Sequence, residues 1–373
     1  MKILQISNDF FNSKVHVNLY KELSKYVKQT IYCPVRSAEQ VGGNNFDAKE
    51  TTVIYDHVIK PYHRYVYHIK RSAIFRSLQK QVDLKEFDLV HAATLFSDGG
   101  QAYKIYKKYH IPYVVAVRNT DINGFLDLLP NTWPAGKKIL RNAKKIFFIS
   151  KALMDKFSSH RVIKPILSEI KDKMMLIPNG VDDYFLDHLY YESHSGHRVL
   201  YVGNFSNNKN VVRLGKSILE LRKEDAFKDV TLTLVGGGKS TNDEVKTMID
   251  DHPEVFSYLG PIYDKKRLCD IFKTHAAFTM PSIHETFGLV YIEALSQNLP
   301  IVYTKGQGVD GLFDDSVGVG VNPTSVAEIK EAIEVVLKSP QRYSNRNICF
   351  EQFRWNGIAE KYINLYKQVI NQA

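Results

Sequence analysis

The sequence has few cysteines and no long apolar run. Its three cysteines, Cys33, Cys269 and Cys349, lie far apart and form no CxxC pair, so neither a zinc site nor a disulfide framework is predicted. No apolar stretch approaches the roughly 20 residues that cross a bilayer. The apolar run within residues 1–11 is too short for a signal peptide. We therefore expect a cytoplasmic protein, peripheral to the inner face of the cell membrane at most.

The chain is large enough for two hydrophobic cores. It has 373 residues, of which 44% are hydrophobic and 24% charged, as in an ordinary soluble globular protein. The net charge of +10 lies entirely in the first half, because residues 1–195 contain 29 Lys and Arg against 19 Asp and Glu, whereas residues 196–373 contain 21 of each. The first half is therefore the one whose charge favours an anionic partner, whereas the second half has no net charge.

One basic segment stands out within the first half. Residues 60–80 contain six Lys and Arg, no acidic residue, and several interleaved aromatic residues, among them Tyr62 and Tyr65. An anionic membrane surface is one possible partner, since each basic residue near such a surface contributes about 1 kcal/mol. A solvated basic helix is the other interpretation. Nucleic acid is not expected, because no known reader motif accompanies the charge.

Short β-branched runs alternate with helical patterns along the whole chain. This alternation predicts an α/β protein with parallel sheets. It begins with residues 2–7 and closes its first series at 174–183; after a polar stretch at 184–197 it resumes at 198–203. We predict two doubly wound, Rossmann-like domains over 1–185 and 196–350, and a terminal helix within 351–373. Ligands of such sheets bind at the carboxyl ends of the strands, so a cleft between the domains is the expected site.

Residues 275–305 contain the strongest site signal. Glu285 and Glu293 lie eight positions apart, close to two helical turns, so a helix would place both near one face with one end at the loop. Gly288 allows close backbone approach where the positive end of the helix dipole would meet an anion. The combination favours a ligand with a phosphate and hydroxyl groups.

Two further strand-end loops share this composition. Residues 203–209 begin with Gly203 and end with Lys209, whose charge could face the ligand, and residues 236–238 are three glycines, which permit close backbone approach. One glycine turn alone would be weak evidence. Three such loops at successive strand ends make a stronger case for a binding site.

Five ordered motifs give the chain a family resemblance. It resembles the retaining glycosyltransferases of family 4, which have the GT-B fold: two Rossmann-like domains that face a cleft. The second half matches the donor-binding domain, and Glu285 and Glu293 match the family's Glu-x7-Glu element. The motifs are IPNGVDDYF (177–185), YVGNFSNNK (201–209), LVGGG (234–238), PSIHETFGLVYIEALSQNLPIV (281–302) and the final helix, which in that family crosses back onto the first domain.

The resemblance implies a role for each matching residue. Glu285 would contact hydroxyls of the transferred sugar, Glu293 would contact the ribose, and Lys209 would hold the diphosphate and stabilise the leaving group. No metal or other cofactor is implied, and the sequence has no Asp-x-Asp of the kind that metal-dependent glycosyltransferases use. The other expected donor-binding residues are Gly203, Asn204, Gly236, Gly237, Thr286, Phe287, Gly288 and Leu289.

The sequence departs from the family pattern in three places. Asn204 stands where an arginine usually shares the diphosphate with the lysine. The first loop, residues 7–16, lacks the paired glycines of many members. In the loop at 117–125, Arg118 stands where many members have a histidine. This loop is closer to the family's Arg-Gly-Ser/Thr-Asp variant, with Asn119 in place of the glycine.

The first-domain candidates follow from this loop. Arg118 and Asp121 are the predicted catalytic residues, although they could instead pair with each other and cap the next helix. His16 and Asn119 are predicted on the acceptor side, while His91 is expected to be a packing residue.

The expected function is retaining transfer of a hexose or N-acetylhexosamine in polysaccharide biosynthesis. The donor would be a nucleotide sugar, with UDP favoured over GDP, and the acceptor a glycan or a lipid-linked glycan. A nucleotide-sugar epimerase and a non-catalytic sugar-nucleotide-binding protein with the same fold remain alternatives. A nicotinamide dehydrogenase is disfavoured, because residues 7–12 follow the first strand where GxGxxG would be expected.

Overall fold

The computed structural model describes residues 1–64, 66–237 and 243–372. Tyr65 of the basic segment and Gly238 of the glycine turn lie outside the described residues. The chain divides into two compact units, the first comprising residues 1–149, 153–180 and 355–373, and the second comprising residues 150–152 and 181–354. Each unit is built on one parallel sheet.

The first unit contains a seven-stranded sheet flanked by helices. All neighbouring strands run parallel, in the spatial order β3-β2-β1-β4-β5-β6-β7. The strands are β1 (Lys2–Ile6), β2 (Lys28–Pro34), β3 (Thr51–Asp56), β4 (Leu89–Ala92), β5 (Tyr113–Ala116), β6 (Lys145–Phe148) and β7 (Met174–Leu176). The helices between them are α1 (Lys14–Leu23), α2 (Tyr67–Gln81), α3 (Gly99–Tyr109), α4 (Trp133–Asn142), α5 (Lys151–Ser159) and α6 (Leu167–Ile170).

The second unit contains a six-stranded parallel sheet. Its spatial order is β10-β9-β8-β11-β12-β13. The strands are β8 (Arg198–Gly203), β9 (Thr231–Gly236), β10 (Phe256–Tyr258), β11 (Ala277–Thr279), β12 (Ile301–Thr304) and β13 (Gly318–Val321). The helices are α7 (Asp183–Asp187), α8 (Val211–Leu221), α9 (Asp243–Asp251), α10 (Lys265–Lys273), α11 (Leu289–Ser296) and α12 (Val326–Lys338).

The last helix, α13 (Trp355–Asn371), belongs to the first unit. Its apolar face packs against α1 and the sheet. The Trp355 ring also packs against the backbone of Gly180, where an added Cβ would lie only 2.4 Å from it. Bulky side chains at i, i+3, i+4 and i+7 spacing supply this contact, as the sequence pattern predicted. The buried residues of α13 in this cluster are Trp355, Ile358, Ala359, Tyr362, Ile363, Leu365, Tyr366 and Val369.

Both sheets reverse their strand order near the middle. The reversal lies between β1 and β4 in the first unit and between β8 and β11 in the second. The carboxyl ends of such strand pairs are where ligands of doubly wound sheets bind. The prediction of two parallel Rossmann-like sheets is confirmed, although the sequence analysis did not identify β3 and β13, which are both edge strands.

No helix among the described residues is long and apolar enough to cross a membrane.

Candidate functional site

A partly buried ion pair lies where the second sheet reverses its strand order. Lys209 ends a short 3-10 turn after β8, and Glu285 lies in the loop after β11. The Lys209 Nζ to Glu285 Oε2 distance is 2.6 Å, and the two side chains are only 19% and 11% exposed. The ammonium group has three donors, so it can retain this bond while it binds a further anion. The structure thus brings together two residues that lie 76 positions apart in the sequence.

Glu285 is held by the loop that follows β12. The Glu285 amide donates to Gln307 Oε1 at 2.6 Å, while Gln307 Nε2 donates to the Ile283 carbonyl at 2.7 Å. The Gly308 amide donates to the Glu285 carbonyl at 3.2 Å. Gly308 has a φ of +58°, and a Cβ there would lie 2.9 Å from Glu285 Cγ. Gln307 was missed by the sequence analysis; the Gly-Gln-Gly composition after a predicted strand was the available signal.

The loop that carries Lys209 is fixed from the other side. Asn208 Nδ2 donates to the His284 carbonyl at 2.9 Å, and Asn208 Oδ1 accepts from the His284 amide at 3.0 Å. Asn210 Nδ2 donates to the carbonyls of Pro281 and Pro323 at 2.9 and 2.6 Å. These bonds connect the loops that follow β8 and β11, so the positions of Lys209 and Glu285 are set together.

Gly288 immediately precedes α11, as its N-cap residue, and is left-handed with φ +78°. A Cβ at this position would lie 2.4 Å from the Tyr291 ring, so glycine is required here. The first amides of α11 have no partner inside the helix, which leaves donors for an anion. Because α11 begins only at Leu289, Glu285 lies outside it, and helical periodicity does not relate Glu285 to Glu293.

Glu293 is partly buried in the middle of α11. Burial raises the pKa of its carboxyl from the ordinary value of 4.5 to about 7, the charge of Lys265 lowers it, and that of Asp182 raises it further. Lys265 Nζ and Asp182 Oδ2 are themselves 3.4 Å apart. Glu293 therefore titrates near neutral pH.

Asn204 and the glycines near it serve the loop structure. Asn204 is exposed, and its Oδ1 accepts from the Ser206 amide at 3.2 Å. Gly236 has φ +117° and Gly237 has φ +94°. A Cβ at Gly236 would lie 2.0 Å from the Gly203 carbonyl oxygen. A close approach of protein backbone thus requires glycine at 236, independently of any ligand.

Two of the predicted donor-binding residues also have structural contacts. Ser150 Oγ donates to the Thr286 carbonyl at 3.1 Å. Phe287 is buried, and its ring centroid lies 6.4 Å from that of Phe353. The Thr286 amide also donates to Glu285 Oε1 at 3.1 Å, so both residues help to fix the loop that carries Glu285.

The first unit has its own polar cluster at the carboxyl ends of β1, β4 and β5. Asp121, which is 1% exposed, accepts from the amides of Arg118, Leu95 and Phe96 at 2.9, 3.0 and 3.1 Å. Burial raises its pKa to about 6, although these backbone donors lower it. Asp121 also begins a π-helical turn, Asp121–Leu126. Its placement points to a positioning role rather than the direct catalytic role expected from the sequence.

Arg118 and His16 lie together in this cluster. Arg118 Nε donates to the Ala93 carbonyl at 3.2 Å, and Arg118 Nη2 lies 3.4 Å from His16 Nε2. The other ring nitrogen of His16, Nδ1, lies 2.9 Å from Ser7 Oγ and 3.1 Å from Asp9 Oδ1. Ser7 and Asp9 were not identified from the sequence, since the loop at 7–16 carried no signal beyond its lack of glycines.

The remaining first-unit candidates lie on either side of the cluster. Asn119 is partly buried beside Arg118. His91 is 2% exposed and lies 2.6 Å from the Tyr366 hydroxyl through Nδ1. Burial lowers the pKa of His91 to about 3, with a further contribution from the charges of Arg118 and His16. His91 is therefore a neutral side chain packed against α13.

No group of three or more His, Cys, Asp and Glu side chains within the described ranges is arranged to hold a metal ion.

Two family models match the chain in sequence. The model described as Glycosyltransferase Family 4 matches residues 15–184, and the one described as Glycosyl transferases group 1 matches residues 196–339. Together they cover most of both units.

Individual proteins show the same likeness. The probable sucrose-phosphate synthase of Thermosipho melanesiensis is 24% identical over 316 residues, which are 79% of this chain and 73% of that protein. The sucrose-phosphate synthase structure from Thermosynechococcus elongatus has a TM-score of 0.74 at 16% identity and covers 100% of both chains. Anabaena HepE in complex with UDP and glucose has a TM-score of 0.67 at 16% identity and covers 99% of this chain and 100% of that one.

Proposed function

We infer that this chain transfers a hexose or N-acetylhexosamine from a nucleotide sugar with retention of configuration. The chain belongs to glycosyltransferase family 4 and is therefore an enzyme that transfers a sugar. The observation that carries the proposal is the partly buried Lys209–Glu285 pair at the strand-order reversal of the second unit. A fixed cation beside a fixed carboxylate suits a ligand that combines a diphosphate with sugar hydroxyls. The complex of HepE with UDP and glucose favours UDP as the nucleotide.

The proposed chemistry begins with departure of the nucleoside diphosphate. The bond between the anomeric carbon and the phosphate oxygen breaks, and negative charge develops on the leaving group. Lys209 and the first amides of α11, which follow Gly288, are placed to stabilise that charge. A new bond forms from the acceptor oxygen on the same face of the sugar, and the acceptor proton passes to the departing phosphate oxygen.

Two carboxylates complete the proposed donor site. Glu285 would accept hydrogen bonds from hydroxyls of the transferred sugar, with Gln307 and Gly308 holding its backbone. Glu293 would contact the ribose. Asn204 uses its side chain to cap its own loop, so it does not replace the family's second diphosphate cation; Lys209 is left as the principal one.

We assign acceptor binding to the first unit. The acceptor is proposed to be a glycan or a lipid-linked glycan made in polysaccharide biosynthesis, with Arg118 at the site and Asp121 positioning its loop. The basic segment at 60–80 would bring this unit to an anionic membrane surface. Transfer is proposed to need no metal.

Alanine substitutions of the ion pair test the donor site. We expect Lys209→Ala and Glu285→Ala each to lower transfer by at least 100-fold, about 3 kcal/mol in the activation free energy. UDP affinity should fall in Lys209→Ala, because the cation is lost. In Glu285→Ala it should not fall, because that variant removes the sugar contact and the carboxylate paired with Lys209 but keeps the cation.

The assay is hydrolysis and transfer with a panel of UDP and GDP sugars, with and without EDTA, after circular dichroism has shown that each variant is folded. Lys216→Ala is the matched control, since Lys216 is exposed on α8 of the same unit. Near-normal turnover in both variants would sink the donor-site assignment. Loss of activity on EDTA treatment would contradict the proposal that no metal is needed, and conversion of the donor to its epimer would identify an epimerase.

A further inference from the structure

Asp9 is the most accessible acid of the polar cluster in the first unit. Its side chain is 52% exposed, whereas Ser7, His16, Asp98 and Asp121 are almost fully buried. Asp9 lies in the loop after β1, directly beside the point at which the first sheet reverses its strand order. A ligand that reaches this sheet edge therefore meets the Asp9 carboxylate before the acids beneath it.

The network beneath Asp9 fixes the tautomer of His16. Arg118 can only donate hydrogen bonds, so the His16 Nε2 that faces it at 3.4 Å must be the accepting nitrogen. The hydrogen of the neutral ring then sits on Nδ1, which lies 3.1 Å from Asp9 Oδ1. Both ring nitrogens of His16 are thus used inside the protein. The acceptor-side role expected for His16 therefore becomes one of linking Arg118 to Asp9.

The backbone around Asp9 is fixed as firmly as its side chain. Ser7 Oγ donates to Asp9 Oδ1 at 3.2 Å. The neighbouring Asn8 amide donates to Asp98 Oδ1 at 3.2 Å, and Thr94 Oγ1 donates to Asp98 Oδ2 at 2.9 Å. The loop after β1 is therefore tied to the loop after β4, and the carboxylate does not have to be ordered when a ligand binds.

The same network keeps the Asp9 carboxylate charged. Burial of the surrounding loop would raise its pKa, but the hydrogen bond from His16 and the charge of Arg118 hold that pKa well below its usual range. The contacts with His16 and Ser7 both use Asp9 Oδ1, and the Asp9 side chain is 52% exposed. Oδ2 is therefore the oxygen that can meet a ligand from solvent. A permanently charged, fixed carboxylate is a strong hydrogen-bond acceptor and a weak base.

We propose that Asp9 binds the acceptor, by accepting a hydrogen bond from a hydroxyl group of a neutral sugar, while His16 and Arg118 act as positioning residues for it. This inference rests on the proposed function. The chemistry selects a polyol over a phosphate at this position, because a phosphate group would be repelled by the carboxylate.

The test compares Asp9→Asn with wild type in three measurements. The first is UDP affinity, measured by titration. The second is donor hydrolysis, measured with the nucleotide sugar that wild type turns over fastest. The third is transfer to methyl glycosides of glucose, galactose and N-acetylglucosamine. Hydrolysis places water where the acceptor hydroxyl would be, so it reports on the site even without a good acceptor. Asp172→Asn is the control. Asp172 is exposed and lies just before β7, at the amino end of a strand of the same sheet, whereas Asp9 lies at the carboxyl end of β1.

We expect Asp9→Asn to keep UDP affinity within twofold of wild type and to lose at least tenfold in hydrolysis and in kcat/KM for the glycosides, while Asp172→Asn changes neither. Turnover by Asp9→Asn at the wild-type level would overturn the inference and leave the proposed function intact. So would a parallel loss of UDP affinity, which would place Asp9 at the donor. A wild-type protein that binds no UDP and turns over no nucleotide sugar would overturn the proposed function, and the inference with it.

Discussion

Glu293 is the residue whose charge should respond most directly to pH near neutrality. Burial raises its pKa from 4.5 to about 7, so the folded protein holds this proton more tightly than the unfolded chain does. Its contribution to stability is therefore fully present below pH 4.5 and is lost as the pH rises to 7. The change is at most about 3 kcal/mol, since each pKa unit between 4.5 and about 7 corresponds to about 1.4 kcal/mol.

Glu293→Gln should remove this pH dependence. We expect the difference in melting temperature between Glu293→Gln and wild type to be more favourable to the variant at pH 8 than at pH 5. The reason is that the amide carries no charge to bury. The measurement is thermal unfolding of both proteins at the two pH values. Glu331→Gln, an exposed substitution on α12, should show no such difference. Parallel behaviour of Glu293→Gln and wild type would mean that Glu293 is not protonated in the folded state.

Gln307 should affect activity only through Glu285. Its side chain accepts from the Glu285 amide and donates to the Ile283 carbonyl, so Gln307→Ala frees the loop that presents the carboxylate. We expect kcat/KM for the donor sugar to fall by about tenfold, with UDP affinity unchanged. Gln341→Ala, at an exposed position of the same unit, should have no effect.

A double substitution separates this positioning role from a merely structural one. In a Glu285→Ala background, Gln307→Ala should cost no further activity, because the residue that it positions is gone. Additive losses in the double variant would show that Gln307 acts by another route.

The sequence could predict the residues whose identity is tied to a motif, and missed those whose importance arises only from folding. Lys209 and Glu285 could be named because both lie in recognisable loops at predicted strand ends. Gln307 and Asp9 were not named, since a Gly-Gln-Gly turn signals only a loop, and a single Asp in a loop has no distinguishing neighbour in sequence. The role of Gln307 depends on a hydrogen bond to a residue 22 positions away. The role of Asp9 depends on the Arg118–His16 contact, which spans 102 positions.

Among the elements, α13 makes the most specific buried polar contact. Tyr366 on this helix donates to His91 Nδ1 at 2.6 Å from a fully buried position. The neutral His91 has no second partner at Nε2 among the described residues. Loss of the Tyr366 hydroxyl would therefore leave the imidazole with no hydrogen bond from the residues described.

Tyr366→Phe should destabilise the first unit by about 1–3 kcal/mol, the penalty for an unsatisfied buried polar group. Urea unfolding checks this value. Tyr26→Phe is the matched control, because Tyr26 also bonds to α13, through Glu360 at 3.3 Å, but at an exposed position. That variant should lose less than about 0.5 kcal/mol. Equal losses in the two variants would contradict the role given to the buried contact.

Central strands and long helices were predictable at the element scale, whereas two of the four edge strands, β3 and β13, were not. The central strands of both sheets are continuous apolar runs, since both of their faces are covered. β13 reads Gly-Val-Gly-Val, and its glycines resemble a turn in sequence. Pairing with β12 makes it a strand, and no local pattern reports such pairing.

For the whole molecule, the charge excess of residues 1–195 is only partly available at the surface. Within the basic segment, Arg76 and Lys80 of α2 are exposed. Lys70 donates to Ser97 Oγ at 3.4 Å, and Arg71 lies over the Tyr67 ring at 5.7 Å. Those two cations serve the fold of the first unit. Charge counting over 60–80 therefore overstates what a membrane would meet.

The exposed part of the segment still combines charge with apolar surface. Tyr62 is 55% exposed and Ile69 is 51% exposed, and both line one surface cavity together with Arg76. Aromatic and aliphatic side chains next to basic ones are typical of a surface that inserts shallowly between anionic lipids. The two exposed cations of α2 contribute about 2 kcal/mol, which corresponds to roughly 30-fold in affinity. Lys60, before α2, is exposed as well.

We therefore expect the protein to sediment with vesicles that contain phosphatidylglycerol, to stay in solution with phosphatidylcholine alone, and to dissociate at high salt. Arg76→Gln combined with Lys80→Gln should weaken binding by roughly 30-fold. Lys266→Gln combined with Arg267→Gln, at exposed positions of α10 in the second unit, should leave it unchanged. The control pair removes the same net charge, so a difference between the pairs would assign binding to α2 rather than to the overall charge. Equal binding to neutral and anionic vesicles, or none to either, would leave α2 as a solvated basic helix.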